Sequence, residues 1–278
     1  METQKPVQVT TDRQLFSELV RETSSTNKQD EVTNLLYRQP ELYEKVYPVL
    51  DDELAKMCQQ MFGRYLQHYP SSILDIGCGT GRELNALARN FSECIGIDYL
   101  PEMVRHAQSK YPTLTFQESD MRTFRLERNF EAILCLGWAI TYALTNEDIG
   151  KTLQTFAAHA QKGSLLVLEL LNGARYLSES GFQECQEFEI NTDEVTGKAI
   201  ATYTFQRRQQ LIVRKRVWKF PGQDPVVDYC RYRLFFPAEL EHLLTETGFK
   251  VVGMFDNRAL EESDLSGRVL NVAAIFDA

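Results

Sequence analysis

The residues most able to do chemistry lie in one short run, Asp75-Ile76-Gly77-Cys78-Gly79-Thr80-Gly81, together with an acid 21 positions after the first glycine, Asp98. Glycines in such a run let a ligand lie against bare backbone and adopt torsions closed to other residues. A dinucleotide loop would read GxGxxG, but the sixth position counted from Gly77 is Arg82, where close helix packing needs a small side chain. The spacing found, GxGxG, suits a nucleoside carrying an amino-acid tail better than a pyrophosphate. Asp98 is placed to accept hydrogen bonds from both ribose hydroxyls. A plain glycine turn with a helix-capping aspartate is the bland reading, and the loop, the acid and their setting together outweigh it.

That setting is an alternation of short apolar runs with amphipathic helices, the signature of a mostly parallel sheet covered on both faces. Strands are expected at 73–76, 94–98, 114–118, 130–136 and 163–170, with helices at 82–90, 101–110 and 146–159. Ahead of them lies a helical lead-in. Asp12 caps a stripe of Leu15, Phe16, Leu19 and Val20, a stretch with Val32, Leu35 and Leu36 follows, then Tyr37, Tyr43 and Tyr47, and a helix is expected over 51–69. Four longer strands at 182–190, 198–206, 209–220 and 226–236 interrupt the alternation as antiparallel hairpins. A helix opened by Pro237 and strands at 250–255 and 269–276 complete the chain. The expected organisation is a helical N-terminal segment over 1–50, a core over 51–180 and 237–278, and a β insertion over 181–236.

The glycine run resembles motif I of class I S-adenosylmethionine-dependent methyltransferases, with Asp98 at the ribose position. Ser119-Asp120-Met121-Arg122 is similar to the Gly-Asp-Met-Arg of amino-sugar N,N-dimethyltransferases and glycine N-methyltransferase-like enzymes, with serine in place of the usual glycine. The resemblance covers about residues 43–255. It implies a Rossmann-like sheet of seven strands, the last antiparallel, and S-adenosylmethionine as cofactor. By the same likeness Asp120 accepts the adenine amino group, the Met121 amide meets a ring nitrogen, and Met103 covers the adenine face. Asp75, Gly77, Gly79, Gly81 and Tyr99 complete that set, with Tyr43 and Tyr47 on a segment that closes over the cofactor. The inserted sheet would form the acceptor lid and is the candidate dimer contact.

Around the end of the fourth strand, Trp138 and Tyr142 are expected to face the acceptor, and Tyr142 and Glu169 are the candidates for taking its proton. Tyr229, Arg231 and Arg233 alternate along one strand, so they share a face; Tyr229 and Arg233 are assigned to the acceptor pocket. The basic run Arg207-Arg208, Arg214-Lys215-Arg216 and Lys219 reads either as a docking site for a phosphate-bearing acceptor or as an edge strand guarded by charge, the second being preferred. His68, His106, His159 and His242 fall on expected helices away from the strand ends, which favours an amine acceptor over a hydroxyl activated by a histidine base.

Composition narrows the partners. The 39 acidic and 30 basic residues of the 278-residue chain give a net charge of -9, which repels nucleic-acid phosphates. No apolar run approaches a membrane span, and the polar start lacks a secretion signal. Six dispersed cysteines without a CxxC pair argue against a zinc site or a small disulfide scaffold and for a reducing cytoplasm. The expectation is a cytoplasmic enzyme, monomer or homodimer, methylating a small-molecule amine of specialised metabolism. O-methylation of a hydroxyl or carboxylate, and a non-catalytic cofactor-binding subunit, are the alternatives.

Overall fold

The structure is a computed structural model and describes residues 34–48, 52–89, 91, 93–177, 184–192 and 195–278. The helical stripe expected from Asp12 to Val20, and Val32, lie outside the described residues. Two short helices, α1 (Leu35–Arg38) and α2 (Pro40–Val46), precede α3 (Glu53–Tyr65). The core then alternates: β1 (Ser72–Ile76), α4 (Arg82–Ala88), β2 (Glu93–Asp98), α5 (Pro101–Lys110), β3 (Thr115–Glu118), β4 (Phe130–Cys135), α6 (Asn146–Ala158) and β5 (Ala160–Leu171). Four antiparallel strands follow, β6 (Cys185–Asn191), β7 (Thr196–Gln206), β8 (Leu211–Lys219) and β9 (Val226–Arg233), before α7 (Pro237–Thr245), β10 (Phe249–Phe255) and β11 (Val269–Phe276).

The larger sheet has seven strands in the order β10-β11-β5-β4-β1-β2-β3. Strands β1 to β5 are parallel, and β11 runs antiparallel between β5 and β10. Residue parity divides its core. On one face Leu74, Ile133, Leu166 and Val272 pack with Ile149, Leu153 and Phe156 of α6 and Leu240 and Leu244 of α7. On the other, Ile73, Leu134, Val167 and Ala273 pack with Met57, Cys58 and Met61 of α3, Leu84 of α4 and Val104 of α5. Both faces are therefore apolar, as the continuous apolar strands required.

Chain direction across the sheet reverses between β1 and β4, which leaves a crevice at their carboxyl ends, where open sheets of this kind hold ligands. The smaller sheet, in the order β6-β7-β8-β9, packs against the turn after β4 and the end of β5. Trp218 and Ala199 on it pack against Leu36, Tyr43 and Val46 of the N-terminal helices. Ile212, Cys230 and Tyr232 on the same face pack against Leu171, Trp138 and Tyr142 of the larger unit. The expected edge position of the basic strand is corrected here: β8 is internal, paired on both sides.

Candidate active site

Two turns press together to make the floor. After β1, the amides of Gly77 and Cys78 both bond to the Ile97 carbonyl of β2, at 2.7 and 3.0 Å, turning the chain sharply. Gly77 has φ +79°, and a Cβ placed on it would land on the Ala139 methyl in the turn after β4, so only glycine fits. Gly81 (φ +75°) caps α4 and could carry no Cβ without a clash either, since Phe116 ring atoms lie 2.6 Å from that position. Gly79, between them, faces open space.

Three carboxylates line the strand ends. Asp75 is buried, and its Oδ1 has no hydrogen-bond partner among the described residues. Burial first, then the charges of Glu83 and Asp98, push its carboxyl well above the usual range. Asp98 accepts the Gly79 amide at 2.8 Å and the Leu100 amide at 2.9 Å, and burial raises its carboxyl too. Asp120 is gripped by the Arg122 guanidinium at 3.0 and 2.7 Å, which holds its carboxyl low, and Arg122 reaches on to Asp148 of α6 at 3.0 Å. The β2 and β3 ends adjoin through a Ser119 amide bond to the Asp98 carbonyl at 2.8 Å, so Asp98 and Asp120 share one rim. Met103 is buried on α5, Met121 is half-buried against the core, and Tyr99 is exposed beside Asp98.

The turn after β4 is the other half of the floor. Gly137 and Trp138 both take left-handed backbone, at φ +58° and +66°, a strained state for tryptophan. Glu169 of β5 holds them: its carboxylate accepts the Gly137 amide at 3.0 Å and its carbonyl the Trp138 amide at 3.1 Å. The other carboxylate oxygen bonds Arg258 at 2.9 Å, and Arg258 also pairs with Glu53 of α3 at 2.7 Å. Glu169 was expected to take a proton from the acceptor. In the structure its two oxygens bond a left-handed turn and an arginine.

Tyr142 also differs from expectation. Its hydroxyl is buried, bonded to that of Tyr37 at 3.0 Å and within 3.3 Å of Cys230 Sγ. Burial, joined by its neighbours Cys230, Tyr232 and Tyr37, drives the phenol well above 10.0. Burial there disfavours the phenolate that a base would need. It belongs to a ring wall in which Tyr37, Tyr43 and Tyr47 follow one another edge-on and tilted, with Tyr232 at 5.6 Å on the far side of Tyr142. Burial lifts the Tyr43 phenol to about 12. Arg82, first residue of α4, lies over the Tyr43 ring at 5.2 Å and donates to the Tyr47 carbonyl at 2.5 Å, tying the N-terminal helices to the glycine turn. A cavity of about 420 Å³ opens there, lined by Tyr47, Asp52, Glu53, Arg82, Glu83 and Arg258 among others.

In the roof the parity differs from the expected one. Asp228, Cys230 and Tyr232 form the face of β9 that meets Tyr142 and β8's inward side chains, which puts Tyr229 and Arg231 on the opposite face. Arg233 is buried at the strand end, where it pairs with Glu239 at 2.6 Å and bonds the Gln209 carbonyl at 3.2 Å. Tyr229, assigned to the acceptor pocket, thus lies on the face turned away from Tyr142, and Arg233 is tied to Glu239 at the strand end. Asp228 is a node: one oxygen accepts Arg216 at 3.2 and 2.8 Å, Trp218 at 2.7 Å and the Leu35 amide at 3.2 Å. Tyr37, Asp228, Cys230 and Tyr232 were not singled out as site residues in the sequence. The only available signal was parity, and β8 and β9 carry polar and apolar residues on both faces.

Residues 73–163 match the family described as a methyltransferase domain. A dTDP-3-amino-3,4,6-trideoxy-alpha-D-glucopyranose N,N-dimethyltransferase from Streptomyces venezuelae is 35% identical over 189 residues, covering 65% of this chain and 76% of that protein. In fold, the chain is similar to an S-adenosylmethionine-dependent methyltransferase from Clostridium acetobutylicum (TM-score 0.74, 16% identity, 88% of this chain and 100% of that one). It is likewise similar to an amino pentose methyltransferase from Micromonospora echinaspora (TM-score 0.69, 22% identity, 85% and 95%). With the sheet order, the strand-end glycine turn and these likenesses in hand, the chain belongs to the class I S-adenosylmethionine-dependent methyltransferases.

Proposed function

We propose that this enzyme methylates the nitrogen of a small amine, of the amino-sugar kind that its similar relatives act on, in specialised metabolism. The observation that carries the nitrogen assignment is the chemistry where the smaller sheet meets the turn after β4. The side chains packed there are the rings of Trp138, Tyr142 and Tyr232, and the carboxylate expected as base bonds the turn. A hydroxyl acceptor needs a group to take its proton as it reacts. An amine needs only to arrive neutral, and aromatic walls that exclude water favour its uncharged form.

S-adenosylmethionine, when bound, supplies a methyl group on a positively charged sulfur. The residues present fit it. Asp98 would hold the ribose hydroxyls and Asp120 the adenine amino group, with Tyr99, Met103 and Met121 around the base. Asp75 has a buried oxygen without a partner, and a cationic ligand satisfies such a group. Gly79 leaves space for backbone approach, while Tyr43 and Tyr47 close the site from the N-terminal side. Trp138 and Tyr142 orient the acceptor, and holding two reactants in line lowers a barrier by several kcal/mol, about 7 in favourable models.

Calorimetric titration with S-adenosylmethionine should show binding to the wild-type chain. Asp98→Ala removes two charge-assisted hydrogen bonds of about 1.5–3 kcal/mol each, so affinity should fall about a hundredfold or more. Unchanged affinity would reject the ribose assignment. Mass spectrometry of products from matched amine and hydroxyl acceptors decides the nitrogen assignment, and methyl transfer to the hydroxyl series alone would overturn it.

A further inference from the structure

Trp138 occupies left-handed backbone, at φ +66°, directly after Gly137 at +58°. A bulky side chain leaves that region unless its surroundings over-determine it, and outliers of this kind gather where a site needs a side chain held in one direction. Two of the groups that hold Trp138 come from a single loop, residues 256–268 between β10 and β11. Arg258 of this loop donates to one Glu169 oxygen at 2.9 Å, and the other Glu169 oxygen accepts the Gly137 amide at 3.0 Å. Arg268 of the same loop lies over the Trp138 ring at 5.0 Å, within the range at which a guanidinium is attracted to an indole face. One arginine thus secures the backbone of the turn and the other its ring.

The loop is itself fastened. Asp256 accepts the Ser263 hydroxyl at 2.6 Å and the Gly267 amide at 2.7 Å. Asn172, the residue after β5, donates its side-chain amide to the Leu265 and Gly267 carbonyls at 2.7 and 2.8 Å and its backbone amide to the Arg268 carbonyl at 3.0 Å. Glu169 and the anchor of the loop therefore share one strand end. Glu169 is buried, whereas both arginines are exposed, so their replacement removes these contacts without opening the core. We propose that Arg258 and Arg268 are positioning residues: Arg258 acts through Glu169 on the turn, Arg268 acts on the ring, and together they set the direction in which Trp138 faces the acceptor. The inference rests on the assignment of Trp138 to the acceptor side of the site. A ring held by both its backbone and its face leaves a space of fixed shape, which the acceptor has to fit before it can meet the methyl group in line.

The test labels the full chain with fluorotryptophan, which gives two fluorine resonances, one each for Trp138 and Trp218. Trp138→Phe and Trp218→Phe assign them, and spectra are taken without ligand. Arg258→Met and Arg268→Met are each expected to displace or broaden the Trp138 resonance and to leave that of Trp218 in place. Arg258→Lys, able to keep a contact with Glu169, and Glu169→Gln, which still offers an oxygen to the Gly137 amide, should displace it less. At saturating S-adenosylmethionine, methyl transfer to the amine series should fall about tenfold or more in Arg258→Met, the loss that goes with a charge-assisted bond. An unmoved Trp138 resonance in either methionine variant overturns the inference. Joint displacement of both resonances overturns it too, because the effect would then lie on the fold as a whole, and undiminished transfer in Arg258→Met rejects the role toward the acceptor. Calorimetry of the wild-type chain with S-adenosylhomocysteine reports separately on the methyltransferase reading. Binding there beside an unmoved resonance rejects the positioning role alone.

Discussion

A phenol that is buried, bonded to two neighbours and ringed by others keeps its proton through the neutral range, and Tyr142 is held in this way. Tyr142→Phe keeps the ring and loses only the hydroxyl bonds, each with a net stabilising value of about 1 kcal/mol. Turnover should fall less than tenfold, and the pH profile of kcat/KM should keep its shape. A loss of a hundredfold or more, or the disappearance of a limb of the profile, would restore Tyr142 as a base. At this scale the sequence was readable where backbone geometry dictates residue type. Gly77 must be glycine because Ala139 occupies its Cβ position, and Asp98 ends a strand beside it. It was unreadable where a contact depends on a partner distant in sequence: the Arg258 side chain that bonds Glu169 lies 89 positions later.

Among the elements, β8 and β9 hold the roof to the N-terminal helices through Asp228. Asp228→Asn leaves the Arg216 guanidinium buried beside a neutral amide, and breaking one partner of such a pair costs about 3–5 kcal/mol. The midpoint of chemical unfolding should fall accordingly, and limited proteolysis should cut sooner between residues 34 and 48, whose Leu35 amide and Asn34 side chain dock on this node. Unchanged proteolysis would mean that the helices are held by their apolar contacts with Trp218 alone. Strand positions in this insertion were legible from their turns; the structure trims β8 and β9 by up to three residues, starts β7 two residues earlier and ends β6 one residue later. Which face looks inward was not. Odd positions of β9 offered Tyr229, Arg231 and Arg233, while even ones offered Asp228, Cys230 and Tyr232; each set mixes polar and aromatic residues, so no apolar stripe chose between them.

For the whole molecule the seven-stranded sheet was legible because both faces are covered and its strands are apolar throughout. Its ligand-free stability should carry the mark of Asp75. The folded state holds this carboxyl's proton above the ordinary value of 3.8, through burial and then Glu83 and Asp98. The stabilising contribution is therefore full below that value and is lost as pH rises through the raised one. Asp75→Asn removes the dependence. Thermal midpoints measured from pH 4 to pH 8 without cofactor should show the variant gaining on wild type as pH rises. Parallel curves would reject an ionisation penalty at this site. The contact of Gly77 with Ala139 carries a different consequence. Because the turns after β1 and β4 are wedged against each other, neither can be remodelled without moving its counterpart. Diversification toward new substrates would thus be channelled into the β6–β9 sheet and the helices before it, leaving the floor unaltered while the roof is free to vary.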